Sequence, residues 1–514
     1  MTSARAISPD FRRIMVTVGC MTATIMQALD TTIANVALPY MQGSLSASLD
    51  QVNWVLTSYI VASAIMTAPI GWLADRFGRK RLFIICAAGF TFASVLCAMA
   101  QNIEQMVLFR LLQGMAGAAL VPLSQSVMLD AYPPEKRGSA MAIWGMGVML
   151  GPIMGPTLGG WLTDNYSWHW VFLVNLPVGI LTVIGLMIFM EETQKQEHLK
   201  FDWFGFLALA IGIGALQMLL DRGEQVGWFE AFEIWAETII AAGGFYYFFA
   251  HSFTSEQPFI DFAIFRDRNF TAACLFMVVL GVVLFGTMAL VTPFMQHVLG
   301  YPILTAGMLL GSRGLGTMFT MMVAPALMKR IEVRYLIGVG LALSAGTLYA
   351  MTGFTLDTTQ RTIVIVSLIQ GVGLGLLFVP ISTVAFSTLP GRLRTSGASL
   401  TTLVRNIGSS IGISMVIANL TSKTTYMHAR LGEGLTPFND ALKMPDVANV
   451  LNTATDTGRA MLDMLVTQQA AVIAYANDFK LMMVLTLCAI PLIFMIGKVQ
   501  QPQGGAAPAH AAMD

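Results

Sequence analysis

Long apolar runs alternate with short polar segments over almost the whole chain. Each run is close to the ~20 mostly apolar residues that a helix needs to cross a bilayer. About fourteen such runs can be distinguished, so the pattern predicts an all-α integral membrane protein. The predicted spans lie near 14–38, 52–74, 82–100, 105–129, 139–163, 169–190, 203–220, 233–252, 270–296, 303–328, 335–354, 362–388, 396–420 and 480–498.

The composition and the placement of charge agree with this picture. Hydrophobic residues make up 55% of the chain and charged residues 11%, which is less than half of the charged share of a soluble domain. The net charge is zero, so no overall positive field would attract nucleic acid, and we expect membrane lipid as the surroundings. Most Lys and Arg residues of the loops fall on the side that carries the termini, which predicts that both termini are cytoplasmic.

An internal repeat appears when the chain is shifted against itself. Pro39 then aligns with Pro293, and at a slightly larger shift Gly151 aligns with Gly408. Two parallel halves of six helices are typical of one large class of secondary transporter. The shift is too long for six helices, which indicates that two further helices are inserted between the halves.

The repeat divides the chain into predicted segments. A polar outer loop is expected within the second half, and its apolar end near 461–475 is interpreted as an interfacial or partner-facing helix rather than a fifteenth span. The segments are a first six-helix half over 1–200, two inserted helices over 201–255, a second six-helix half over 256–500 that includes the loop over 421–478, and a disordered tail over 501–514.

One carboxylate, Asp30, lies well inside the first apolar run. It is ~24 Å from the predicted inner end of that helix, and Arg110 lies at a similar depth in the fourth run. An ionisable side chain within a span is costly and therefore functional by default. Because burial and a nearby cation act on a carboxylate in opposite directions, we predict that Asp30 and Arg110 couple transport to protons. The alternatives are a fixed salt bridge, or an Asp30 that caps a broken helix.

Two more arginines, Arg313 and Arg405, also lie deep within predicted spans, and neither has an acidic partner in its own span. One interpretation is that they line a substrate cavity and attract an anionic or dipolar compound. Hydrogen bonds to backbone carbonyls, or snorkelling to the interface, would explain them equally well. The predicted cavity residues are Asn35, Gln113, Arg313, Gln370, Arg405 and Asn406.

Two glycine-containing segments predict moving parts. Glycines four residues apart in 147–156 allow close helix approach and prolines there bend the helix, so this helix is interpreted as a flexing seal between the halves, or else as a packing face. In the charged turn 71–81, Asp75 would pair with Arg76 or Arg79, or cap a helix, and hold a gate closed; the alternative is an ordinary positive loop. The predicted gating residues are Gly71, Asp75, Arg76, Gly78, Arg79, Gly147, Gly151, Pro152, Gly155 and Pro156.

Sequence patterns typical of enzymes are missing. The chain has no Walker A motif, no nucleophile elbow and no metal-ligand spacing among its histidines. We therefore predict a protein that is not an enzyme and that uses no cofactor, with the proton gradient as its energy source. A membrane-embedded sensor or enzyme is the disfavoured alternative.

Several motifs resemble those of a known family. Residues 71–83 resemble the loop signature of the major facilitator superfamily, and 29–39 and 147–156 are similar to the first-helix and antiporter signatures of its drug:proton antiporters. The segment Arg110-Leu111-Leu112-Gln113-Gly114 is similar to the helix-4 motif, whose arginine is linked to proton transfer. With two inserted helices, the chain resembles the fourteen-helix DHA2 branch of EmrB/QacA type. The long outer loop and the segment 221–229 resemble the EmrB side.

The resemblance implies a major facilitator fold with fourteen transmembrane helices in the cell inner membrane. It also implies proton-coupled multidrug efflux of hydrophobic drugs, with a periplasmic adaptor and an outer-membrane channel as partners. Asp30 is the one acid well inside a predicted span, against three arginines, so neutral or weakly acidic compounds are expected rather than dications. The alternative function is a proton-coupled uptake symporter for a small polar solute.

Overall fold

The computed structural model describes residues 8–497, apart from 194, 197–199, 256–257, 436–438, 440–441, 443, 445–450 and 452–454. In these residues the regular structure is helical throughout, without a strand. The predicted tail 501–514 lies outside them. The principal helices are α1 Pro9–Ser44, α2 Leu49–Thr67, α3 Ile70–Phe77, α4 Arg79–Ala98, α5 Ile103–Gly117, α6 Leu120–Ala131, α7 Arg137–Asn165, α8 His169–Leu173, α9 Asn175–Phe189, α10 Trp203–Arg222, α11 Phe232–Thr254, α12 Arg268–Pro293, α13 Ile303–Met328, α14 Val333–Met351, α15 Gln360–Ser387, α16 Arg394–Gly432 and α17 Asp456–Cys488.

The helix ends follow from local sequence. Several helices begin at a polar residue that accepts a hydrogen bond from a first-turn amide, such as Ser8 at α1, Asn102 at α5 and Asp267 at α12. Such caps satisfy backbone N–H groups that have no partner within the helix. Pro69 lacks a backbone N–H, and α2 and α3 meet there at a bend of 57°. The second predicted span thus corresponds to two consecutive helices that meet at this bend.

A helix, or a pair of consecutive helices, stands at each predicted span. Among the described residues, eleven helical stretches are long and apolar enough to cross a membrane, or twelve if the bent α2–α3 pair is one span. The all-α membrane fold is thus confirmed. The count of fourteen spans and the cytoplasmic termini stay predictions.

Equivalent helices pack together in the two repeats. In the first part of the chain α1 packs on α7, α2 on α5 and α4 on α9, and in the second part α12 packs on α16, α13 on α15 and α14 on α17. The two parts meet where α7 lies against α13 and α15 and where α3 and α6 lie against α16. The helix α10 packs on α11 and also contacts both α2 and α16, so it bridges the seam.

The outer end of the second part differs from its prediction. The predicted interfacial helix near 461–475 and the last span from 480 form a single helix, α17, and α16 continues past the predicted end at 420. The polar residues that interrupt the apolar run, Asp463 and Gln469, lie on the exposed side of α17, while Leu462 and Ala470 are buried. The separate interfacial helix is therefore wrong, and the predicted loop 421–478 is mostly helical at both ends.

Candidate functional site

Asp30 of α1 and Arg110 of α5 meet inside the first part of the fold, as their depths predicted. Nη1 of Arg110 lies 2.7 Å from Oδ2 of Asp30, and neither residue exposes any surface. Nε of Arg110 donates to the backbone carbonyl of Val55 in α2 at 3.0 Å. The pair is therefore a closed ion pair within the protein rather than a capped helix end, and α1 runs unbroken through Asp30.

Three neutral side chains complete this polar cluster. Nε2 of Gln113 donates to Oδ1 of Asp30 at 2.8 Å, and Nδ2 of Asn175 donates to the same oxygen at 3.1 Å. Oγ of Ser94 accepts hydrogen bonds from both amides. Gln113, predicted to line the substrate cavity, is fully buried in this cluster. That placement is a correction, and its physical reason is that Gln113 lies one helical turn after Arg110 and shares its face.

Aromatic rings and a close helix contact hold the arginine in place. The guanidinium of Arg110 lies 4.2 Å from the ring centroid of Tyr59 and 5.6 Å from that of Phe172. A Cβ at Gly114 would overlap the backbone carbonyl of Tyr59, so glycine there lets α5 approach α2. Stacking of the guanidinium on these aromatic rings stabilises the cation in an apolar setting. The cluster thus holds one carboxylate beside one cation, and both groups are buried.

The glycine face of α7 packs against α1, beside the carboxylate. A Cβ at Gly151 would overlap the backbone of Ala28, and one at Gly155 would overlap the side chain of Thr32. The hydroxyl of Thr32 also donates to the carbonyl of Gly151 at 3.0 Å. These glycines therefore form a packing face against α1 of the same half, and they are not the part of α7 that meets the second half.

The opposite face of α7 makes the contact with the second half. A Cβ at Gly314 of α13 would overlap Ile153, and one at Gly307 would approach Thr157. Gly147, by contrast, belongs to the face that meets the first half and packs against Met21 of α1. The helix is continuous across Pro152 and Pro156, which lie in its interior. A single helix therefore connects the Asp30 turn with the second half.

The charged turn 71–81 does contact the second half. A Cβ at Gly71 would overlap Ser396 of α16. Gly78 adopts a φ of 90°, which glycine reaches without strain, and the turn is anchored by Glu192, whose carboxylate accepts from the backbone N–H groups of Lys80 and Arg81 at 3.1 and 3.2 Å. This places the turn at the seam between the halves.

The ion bridge at this seam uses Asp130 rather than Asp75. Arg79 and Arg394, from different halves, both pair with the carboxylate of Asp130 at the end of α6. The side chain of Asp75 forms no ion pair in the described part of the chain, and Arg76 has a buried Nη1 that finds no hydrogen-bond acceptor there. The predicted pairing of Asp75 is therefore wrong, because Arg79 extends away from its own turn to the end of α6.

The predicted cavity residues do not form one cluster. Arg313 and Arg405 are buried, and one nitrogen of each, Nη1 and Nε, has no hydrogen-bond acceptor among the described residues. Gln370 is buried with both amide atoms equally unpartnered there. Asn35 is exposed on α1, and Asn406 is half-buried next to Arg405.

Sequence reasoning missed a second buried carboxylate. Asp478 of α17 exposes no surface and accepts a hydrogen bond from Nδ2 of Asn419 in α16, while its Oδ2 has no partner among the described residues. Asn175 and Asp130 were missed as well. Asp478 stands among apolar residues at helical spacing, a signal that the polar start of α17 concealed.

Residues 20–413 match the family model described as Major Facilitator Superfamily. The chain belongs to the major facilitator superfamily. It is 34% identical to the fatty acid resistance protein FarB of Neisseria gonorrhoeae, covering 92% of this chain and 94% of that protein. It is 32% identical to the multidrug export protein EmrB of Escherichia coli (strain K12), covering 97% of this chain and 98% of that protein.

These likenesses confirm the predicted EmrB-type branch of the superfamily. A solved structure of a bacterial homologue of the human lysosomal transporter Spinster, inward-facing and occupied, superposes with a TM-score of 0.56 at 18% identity, covering 96% of this chain and 97% of that chain. That likeness concerns the fold alone. Family, fold and apolar helices together show a multi-pass protein of the inner membrane.

Proposed function

We propose that this superfamily member is a multidrug efflux antiporter that exports hydrophobic compounds across the inner membrane in exchange for protons. The observation that carries the proposal is the Asp30–Arg110 pair, sealed in a cluster of neutral hydrogen-bond donors. Burial of an ion pair carries a desolvation cost that the attraction of the two charges does not always repay, and an ionisable residue within a membrane span is therefore a candidate functional group. The names of the EmrB and FarB relatives, a multidrug export protein and a fatty acid resistance protein, support export.

The mechanism follows from the connections of Asp30. In the proposed cycle the two halves rock about a central cavity. Opening to the outside admits a proton to Asp30 while the compound leaves, and the carboxylate releases the proton inward after the return. Contact of α7 with α1 at Gly151 and with α13 at Gly314 supplies the route by which protonation of Asp30 acts on the second half.

The Asp130 bridge supports a gate on the side of the bundle where α1 begins. Arg79 comes from the first half and Arg394 from the second, and both share one carboxylate. With the bridge intact, the halves are held together at this end. We propose that this side is cytoplasmic, as the distribution of basic residues predicted, and that the bridge opens when the transporter faces inward.

The substrate class is proposed from the buried charges. Arg313 and Arg405 each hold a buried N–H without an acceptor in the described chain. Such donors favour a compound that brings an acceptor oxygen or a weakly acidic group. Hydrophobic drugs that are neutral or weakly acidic are therefore the proposed cargo of the central cavity. A periplasmic adaptor and an outer-membrane channel are proposed as partners from the EmrB resemblance.

Reconstituted transport tests the proposal. Proteoliposomes with an imposed pH gradient should move a fluorescent hydrophobic compound without a titratable group against its own gradient, whereas protein-free liposomes should not, and dissipation of the pH gradient should stop the movement. The direction of flux relative to the proton gradient separates an antiporter from the alternative uptake symporter. Movement of compound in the same direction as protons would contradict the proposal.

A further inference from the structure

A cavity of about 690 Å³ lies outside the Asp30 cluster, at the opposite end of the bundle from the Asp130 bridge. One wall is the loop that joins the inserted helices α10 and α11, and the other is the outer part of α16. Its volume falls within the ~300–1,000 Å³ range of small-molecule pockets. The residues of the two walls that the argument uses are Glu224, Trp228, Glu230, Ser414, Met415 and Asn419.

The loop wall presents an aromatic ring in an unusual conformation. Trp228 has a φ of 54°, a value that costs energy for any residue with a side chain. Its indole N–H donates to Oε2 of Glu224 at 3.0 Å, and its ring packs closely on Gly223. Backbone strain of this kind persists where surrounding contacts enforce it, and it is concentrated at ligand sites. The loop thus holds the ring and a carboxylate together at the cavity.

The charge of the cavity has one sign. Glu224 and Glu230 line it, and no Lys, Arg or His stands among its lining residues. The nearby Arg222 does not neutralise them, because it pairs with Glu233 at 2.7 Å and stacks on Trp54 of α2. The lining of the cavity therefore carries two acidic residues and no basic one.

The wall formed by α16 offers one polar atom that has no partner in the described part of the chain. Oγ of Ser414 is buried, lines the cavity and has no hydrogen-bond partner among the described residues. Asn419 also lines the cavity, and its side chain binds the buried Asp478 behind it. This adds a third carboxylate near the same wall, while Met415 supplies adaptable apolar surface.

We propose that this cavity binds an organic cation with an apolar body, such as an ammonium or phosphonium group carried on hydrophobic substituents. Trp228 would face the cation with its ring, Glu224 and Glu230 would balance its charge, and Met415 would contact its body. The inference rests on the proposed export function, because it adds a second class of compound to the proposed cargo. The site of this second class is separate from the proposed central cavity. The ammonium can belong to a soluble compound or to a phosphatidylethanolamine headgroup.

Binding of tetraphenylphosphonium to the purified full-length protein in an uncharged detergent, followed by equilibrium dialysis, tests the proposal. The wild-type protein should bind this cation, and the Glu224→Gln/Glu230→Gln variant should bind it about tenfold more weakly or worse. Neutral triphenylphosphine oxide should bind both proteins equally. Glu104→Gln, a neutralised exposed glutamate at the start of α5, is the matched control and should bind like wild type. Equal affinity of wild type and double variant for the cation would overturn the proposal.

Further arms keep the test decisive. Ala418→Trp fills the cavity without changing its charge and should abolish binding, so retained binding by this variant would also overturn the proposal, even if the double glutamine variant fails to fold. Displacement of the probe by phosphatidylethanolamine would assign the site to a lipid ammonium, and its failure to displace would assign it to a soluble cation. Asp30→Asn should bind the probe like wild type while losing export, so the proposed function and this inference can fail separately.

Discussion

Replacement of Asp30 by Asn is the sharpest test of the proton-coupling cluster. The change keeps the shape of the side chain and removes its charge. The carboxylate accepts hydrogen bonds from Arg110, Gln113 and Asn175. An asparagine would direct an NH₂ group at one of these donors, and it would leave the guanidinium of Arg110 without its counterion.

The size of the effect follows from this burial. Both partners are fully buried, and removal of one member of a buried ion pair costs roughly 3–5 kcal/mol of the free energy of unfolding. Stacking on Tyr59 and the hydrogen bond to Val55 remain, so we expect the lower end of that range. In the double variant Asp30→Asn/Arg110→Met no charge is left unpaired. It should be more stable than the sum of the single effects predicts, by about 1–3 kcal/mol.

Two measurements on the same proteins separate the proton-coupling role from a fixed salt bridge. Thermal unfolding in detergent reports stability, and transport driven by a pH gradient in proteoliposomes reports coupling. Asp30→Asn and the double variant should both lose gradient-driven transport, whereas Asp357→Asn, an exposed matched control, should keep it. If the double variant transports in response to the gradient, the coupling role of Asp30 is refuted and the pair is structural.

Three further predictions follow from the packing and the ion bridge. Gly151→Ala should separate α7 from α1 and reduce both thermal stability and transport, while Gly185→Ala, whose added methyl group meets open space, should reduce neither. Equal stability and equal transport of the two variants would refute the contact. Asp130→Asn should widen the distance between spin labels on α3 and the start of α16, and Asp75→Asn should leave it unchanged; the reverse result would support the gate that the sequence predicted at Asp75. Gln370→Leu should raise thermal stability, because it removes two buried polar atoms without partners in the described chain, and a lower unfolding temperature would show that they are satisfied.

The sequence was informative wherever the cost of placing a charged or polar group in the membrane leaves few possible structures. An acid and an arginine at equal depth in two spans have few neighbours that satisfy them, so the meeting of Asp30 and Arg110 could be predicted. The apolar runs likewise predicted a helix at each position. In both cases the membrane leaves the chain few alternatives.

Partner choice across the interior could not be read in the same way. Helical spacing shows that Gly151 and Gly155 share a face, but the pattern is silent on whether that face meets α1 or the second half. Asp130 stands at a helix end near prolines, a place where a solvated carboxylate is ordinary, so its two arginine partners leave no local signal. Asp478 was hidden because exposed polar residues at the start of α17 made the run look like a loop. The glycine face and Asp130 were thus misjudged in their tertiary contacts, whereas Asp478 was missed through the local structure of α17.

The position of α10 across the seam sets a geometric constraint on the transport cycle. The hydroxyl of Thr57 in α2 donates to Asp221 at the end of α10, and the hydroxyl of Ser410 in α16 donates to Gln217 one turn earlier. A rigid helix that is hydrogen-bonded to both halves cannot keep both hydrogen bonds when the halves rotate relative to each other. Under the proposed rocking motion one of these two hydrogen bonds breaks in each half-cycle. The inserted helices α10 and α11 would then move together with one half at a time. The cavity between the α10–α11 loop and α16 would then change its width in every transport cycle.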